Sequence, residues 1–191
     1  MALFFTSDTH FQHANIIKYC SRPFSSVDEM NAALCDNWNS VVRLDDIVYH
    51  LGDVLFGDVE RMLPRLRGLM GKKYLIPGNH DTTKVLESLD GIFEILPSLV
   101  EIPLPAEGKA GQYASPLSLC HYPMATWNRS HRGAIMLHGH NHGRLPGNAQ
   151  RLDVGVDSWG FTPVRLRDVL ARLGKQHGLP PNSIDSDEED Q

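Results

Sequence analysis

Three histidines fall within the five residues His138-Gly139-His140-Asn141-His142. Neutral imidazoles are ligands for zinc, manganese, iron or nickel. His140 and His142 stand two residues apart, so on extended chain they share a side. The plain alternative is a loop whose histidines face solvent. Four other stretches carry related chemistry. Asp8-Thr9-His10 pairs a carboxylate with an imidazole at the same spacing, although Asp8 as a helix cap would explain it too. Gly52-Asp53 supplies a second carboxylate behind a glycine. Gly78-Asn79-His80-Asp81 is dense in polar groups, with the alternative that Asn and Asp favour turns and caps. His121 follows a short apolar run. Together these stretches offer oxygen and nitrogen donors without a paired-cysteine motif, a set that suits catalytic divalent metal rather than a structural zinc site.

The elements that must position these groups are readable from periodicity. Leu3 to Thr6 reads as a strand delivering Asp8, and Asp46 to Leu51 as a strand delivering Asp53. Tyr74 to Ile76 reads as a third, delivering Asn79. Between them lie helical patterns: His13 to Tyr19, a helix opened by Ser26 with Trp38 on its core side, and one capped by Asp58 with Pro64 inside and Gly71 at its end. Strand–helix repeats with polar residues at the strands' carboxyl ends imply a largely parallel sheet, whose sites form at those ends. The second half reads as short strands: 93–96, 99–104, 117–120, 134–137, 151–156 and 164–165. Pro105 to Ser115 reads as a hairpin loop, and Leu166 to Leu173 as a last helix closed by Gly174.

Length and charge narrow the class. A chain of 191 residues with 41% hydrophobic content accommodates one full core. We expect a single domain over residues 1–176 and an acidic, disordered tail over 177–191. The net charge of −5 comes from that tail: five of the 23 acids lie between Ser183 and Gln191, leaving 18 acids against 18 basic residues elsewhere. A neutral body does not suit long nucleic acid. No apolar run approaches the roughly 20 residues of a membrane span, and the first residues lack the basic start of a signal peptide. Three cysteines without zinc spacing fit free thiols in a reducing cytoplasm.

Collected in order, Asp8-Thr9-His10, Gly52-Asp53, Gly78-Asn79-His80-Asp81, His121 and Gly139-His140-Asn141-His142 resemble the calcineurin-like metallophosphoesterases. The resemblance implies an α/β sandwich of four αββα layers, with two packed mixed sheets flanked by helices. It implies a first metal on Asp8, His10, Asp53 and His142, and a second on Asp53, Asn79, His121 and His140. Asp53 would bridge them. His80 would be the catalytic acid, oriented by Asp81. Two cations about 4 Å apart need a bridging anion, and a water between them is the nucleophile. We expect two divalent ions, manganese first, with iron, nickel or zinc as alternatives. The expected activity is hydrolysis of a phosphodiester in a small phosphorylated compound or nucleotide. A phosphomonoesterase, or a non-catalytic scaffold on the same fold, is the alternative. Candidate substrate contacts are His13, Arg22 and Arg129, the arginines through bidentate phosphate recognition. Trp127 offers a stacking surface, Asp157 a support for a ligand histidine, and His138 and His50 either such support or a core role.

Overall fold

The computed structural model describes residues 1–104 and 114–175. Five strands form the first sheet: β1 (Leu3–Thr6), β2 (Ile47–His50), β3 (Lys72–Leu75), β4 (Glu94–Ile95) and β9 (Val164–Arg165). Their order is β4-β3-β2-β1-β9, parallel except for β9. The second sheet holds β5 (Leu99–Ile102), β6 (Ala114–Cys120), β7 (Ala134–His138) and β8 (Arg151–Asp153) in sequence order. Here β5 is antiparallel to β6, and β6, β7 and β8 run parallel.

Both sheets are thus mixed, and helices flank them as an α/β sandwich requires. The helices α1 (Ala14–Tyr19), α2 (Val27–Val41), α3 (Val59–Arg67) and α4 (Thr83–Ser88) follow the first strands. Ile16, Met30, Leu34, Trp38, Met62, Leu66 and Val85 from these helices pack with Phe4, Val48 and Leu75 of the sheet in one core. Trp38 is 1% exposed and donates its ring N–H to the Met70 carbonyl. A second core lies between the sheets: Phe5 and Ile76 meet Leu117, Leu119, Ile135, Leu137 and Leu152. The alternation along β1 explains this division, because Phe4 and Phe5 point to opposite faces. The last helix, α5 (Leu166–Lys175), adds Leu166, Val169 and Leu173 to that second core.

Helix ends differ from expectation in two places. Ser26 opens α2 as expected, accepting from the Glu29 amide. The Gly68 backbone closes α3, three residues before Gly71. Gly174 lies inside α5 rather than ending it. The expected hairpin loop falls mostly on residues 105–113, and the expected acidic tail on residues beyond 175; both lie outside the described residues.

Candidate metal centre

The strand ends converge because their loops are hydrogen-bonded side by side. The Asp8 amide donates to the Gly52 carbonyl at 3.0 Å and the His10 amide to that of Asp53 at 3.0 Å. The Gly139 amide donates to the His121 carbonyl at 3.0 Å, drawing β7's end to that of β6. The Val156 amide donates to the Ser7 carbonyl at 3.0 Å, joining the two sheets. These contacts bring Asp8, His10, Asp53, Asn79, His121, His140 and His142 into one cluster. Asp8, His10 and His142 each offer a donor atom within 4.8 Å of the others', and so do Asp8, Asp53 and His121.

Asp53 Oδ2 is the centre of the cluster. The Nε2 atoms of His121, His10 and His80 stand 3.5, 3.6 and 4.0 Å from it. Beside it, Asn79 Oδ1 faces His121 Nε2 at 3.0 Å and His140 Nδ1 at 2.9 Å. His121 holds its other nitrogen, Nδ1, against the Leu51 carbonyl at 2.7 Å, which fixes the ring and leaves Nε2 for the cluster. His142 likewise uses Nδ1 on Asp157 Oδ2 at 2.7 Å, leaving Nε2 able to coordinate.

Backbone strain marks the same positions. Asp8 (φ 56°), His10 (49°), Asp53 (58°), His140 (70°) and His142 (50°) all occupy the left-handed region. For residues with a Cβ such conformations cost on the order of 1–3 kcal/mol each and persist only where surroundings over-determine them. Gly139 shows how tight those surroundings are: a Cβ there would collide with the Ser7 and Asp8 side chains.

The electrostatics calls for a cation. Burial pushes the Asp8 carboxyl up to about 8 despite the nearby His142 charge. Burial likewise drives the His10 imidazole strongly down, toward its neutral form. His10 Nε2 is buried without a hydrogen-bond partner while two carboxylates lie within 4.0 Å of it. An unpaired buried carboxylate is costly, and so is an orphaned buried nitrogen. A cation accepted by these N and O donors satisfies both, so the residues present fit divalent metal.

His142 has a further support. Burial alone would lower its imidazole, but its hydrogen bonds with Asp157 and Cys20 and the Asp8 charge raise it to about 10, so a cation taking Nε2 displaces a proton. Arg22 grips Asp157 with Nε and Nη2, each at 2.9 Å, and also donates to the Asp8 and Thr9 carbonyls at 2.7 and 3.0 Å. Asp153 accepts from the Gly143 and Gly155 amides, tying the turn after His142 to the end of β8.

Several sequence expectations need correction. Arg22 does not offer its fork to a substrate: its side chain has 0% exposure and is committed to Asp157 and two carbonyls. Arg129 sits in the turn before β7, where its carbonyl accepts from the Ala134 amide, at the opposite end of that strand from His140. Trp127 belongs to the same end, its ring N–H donating to the Ala134 carbonyl. Asp81 does not orient the His80 ring. Its buried carboxylate accepts from the backbone amides of Asp53, Val54 and Gly78 at 2.7, 3.0 and 2.8 Å. His80 is held instead by its own amide, which donates to Asp53 Oδ1 at 2.8 Å. His13 does stand at the cluster, its ring 5.3 Å from that of His10. His50 bonds Thr9 Oγ1, and His138 bonds the Gly139 carbonyl; both are buried behind the ligand loops. Sequence reasoning did not single out Cys20, Tyr122 or Phe56, although the last two lie one and three residues after ligand candidates.

Comparison with known proteins finds relatives over most of the chain. The chain is 36% identical over 180 residues to the uncharacterized protein MJ1445 of Methanocaldococcus jannaschii, covering 90% of each. It is 30% identical over 202 residues to the Gene 66 protein of Mycobacterium phage L5, covering 92% of this chain and 97% of the other. The crystal structure of the protein of unknown function AQ665 from Aquifex aeolicus superposes with a TM-score of 0.66 at 25% identity, over 88% of this chain and 97% of that one. The family profile for calcineurin-like phosphoesterase matches residues 1–174. The chain therefore belongs to the calcineurin-like phosphoesterases.

Proposed function

We propose that this chain hydrolyses a phosphodiester bond in a small, nucleotide-type substrate, using two divalent ions of which manganese is our first choice. The observation that carries the reading is the ring of three imidazole Nε2 atoms around Asp53 Oδ2, with Asn79 Oδ1 shared by two of the cluster's histidines. Asp8, His10, Asp53 and His142 would hold one ion, and Asp53, Asn79, His121 and His140 the other. When bound, such ions lower the pKa of a water and neutralise charge on the phosphoryl oxygens.

The chain's own groups do the rest. Asp81 clamps the two loops that carry Asp53 and Asn79, and Asp157 fixes the face that His142 presents. Hydrolysis joins the oxygen of a water to phosphorus and breaks the bond to the leaving oxygen, which must gain a proton. His80 is placed to deliver it, because its side chain is 38% exposed while its backbone is anchored on Asp53. A monoester dianion would reward further fixed cations near Asp53. Arg22 and Arg129 are both placed elsewhere, which favours the diester. Free thiols at Cys20, Cys35 and Cys120 support a cytoplasmic setting. Among the described residues no helix is long and apolar enough to cross a membrane.

The test is turnover of bis-p-nitrophenyl phosphate beside p-nitrophenyl phosphate with added manganese. The native protein should prefer the diester. Asp53→Ala should lose nearly all turnover, whereas His80→Ala should lose little on this probe, whose p-nitrophenolate leaves without a proton, and about 10²–10⁴-fold in kcat on a dinucleotide, whose alkoxide leaving group needs a positioned acid. Preference for the monoester would replace the reading with a phosphomonoesterase, and two bound metals without turnover of either would point to a scaffold.

A further inference from the structure

The exposed phenylalanine and tyrosine rings among the described residues are Tyr19, Phe56 and Tyr122, at 60%, 46% and 47% exposure. Single exposed aromatics are ordinary on a protein surface. These three are not scattered, because each packs on a histidine of the cluster. Phe56 stacks on His13 at 4.5 Å and meets the His80 ring edge-on at 5.6 Å. Tyr19 meets His13 at 6.3 Å. Tyr122 meets His140 at 4.7 Å and His121 at 5.1 Å. Phe56 and Tyr19 therefore border the His10–His80 flank of Asp53, and Tyr122 borders the His121–His140 flank.

We propose that Phe56 and Tyr122 form two planar-group subsites flanking the reacting phosphate, and that the substrate class is a linear dinucleotide with one nucleobase on each. The inference rests on the phosphodiesterase reading and names the substrate of that same site. Exposed aromatic rings bind bases by stacking, and this tolerates any base. The Phe56 flank opens into a cavity of about 450 Å³ lined by Phe56, Val59, Val85 and His80, within the range that holds small ligands. Because His80 lines this cavity, the leaving nucleoside belongs here and the other nucleoside on Tyr122. Lys84 also lines the cavity, but Asp58 and Glu60 oppose its charge. A continuing strand would need neutralisation of each further phosphate. The cavity lacks that excess of positive charge, so it fits an uncharged nucleoside end.

Two probes with the same leaving group separate the subsites: bis-p-nitrophenyl phosphate, with two rings, and methyl p-nitrophenyl phosphate, with one. We expect about tenfold higher kcat/KM for the two-ring ester, from one stacked ring. A 3′,5′-linked dinucleotide should be cleaved at least as well as a ten-nucleotide single strand. Phe56→Leu and Tyr122→Leu should each raise KM for the dinucleotide about tenfold, and Tyr122→Leu should leave KM for the methyl ester nearly unchanged, because its one ring is the leaving group and belongs on the Phe56 side. Equilibrium titration of the metal-loaded His80→Ala protein with the dinucleotide supplies a readout without turnover. There binding should exceed that of inorganic phosphate and weaken in the double variant with Tyr122→Leu. Equal kcat/KM for the two probes with unchanged dinucleotide KM overturns the inference and leaves the phosphodiesterase standing. An effect of only one of the two variants overturns it in favour of a single planar subsite. Strong preference for the ten-nucleotide strand overturns it in favour of a strand substrate. If no diester is cleaved, the phosphodiesterase reading fails, and the titration decides the inference: binding no tighter than phosphate overturns it.

Discussion

Arg22 and Asp157 act on His142 from behind. The guanidinium holds the Asp157 carboxylate through two 2.9 Å bonds, and that carboxylate holds His142 Nδ1 at 2.7 Å. A carboxylate behind a ligand histidine sets both its tautomer and its orientation, and losing one costs about 10–100-fold in metal affinity. Asp157→Asn should therefore weaken manganese binding by that factor in calorimetric titration, with a smaller effect on the metal-free fold. Arg22→Ala should be worse for stability. It takes the guanidinium from a nearly buried carboxylate that then keeps only His142 Nδ1, and breaking such a buried pair costs on the order of 3–5 kcal/mol, readable as a lower denaturant midpoint. The role of Arg22 was not legible from sequence, because a phosphate fork and a buried ion pair require the same residue type.

At the scale of elements, the loops after β2 and β3 matter more than the strands. Asp81 accepts from amides on both loops, those of Asp53 and Val54 on one and Gly78 on the other. Asp81→Ala leaves three N–H groups, two of them buried, without their acceptor. Each such group costs about 1–3 kcal/mol, so the variant should unfold several kcal/mol earlier in urea and bind metal more weakly. If Asp81 served only the His80 ring, turnover would fall with stability unchanged. The strands and helices themselves were mostly legible, because apolar runs and 3.6-residue periods mark them directly. Exact ends were less so: Gly68, not Gly71, closes α3, since a glycine's sequence position does not say which carbonyls remain to be capped.

The whole molecule brings two sheets together at one edge and leaves buried carboxylates there for a cation to satisfy. A ligand that binds only the folded state stabilises it by about 2.7 kcal/mol at one hundred times its dissociation constant. Manganese should accordingly raise the melting temperature of the native protein, and chelation should reverse the rise. Asp53→Ala should show little of it, since its carboxylate stands at the centre of both donor sets. An equal rise in that variant would argue against a site on Asp53.

The amino-acid sequence by itself determined the order of the strands and of α1, α2, α3 and α5, and the presence of the donor residues at strand ends, because these follow from local period and residue type; the helix α4 (Thr83–Ser88) was not read from it, six residues being too few to show a period. Only the tertiary structure decided what those donors face. Five of the seven hold left-handed backbone conformations that residues with a Cβ avoid on their own. Packing between the sheets imposes them, so no local signal announces them. The same long-range packing places Arg22 against Asp157, 135 positions later in the chain, and sets Tyr122 and Phe56 on the two flanks of Asp53.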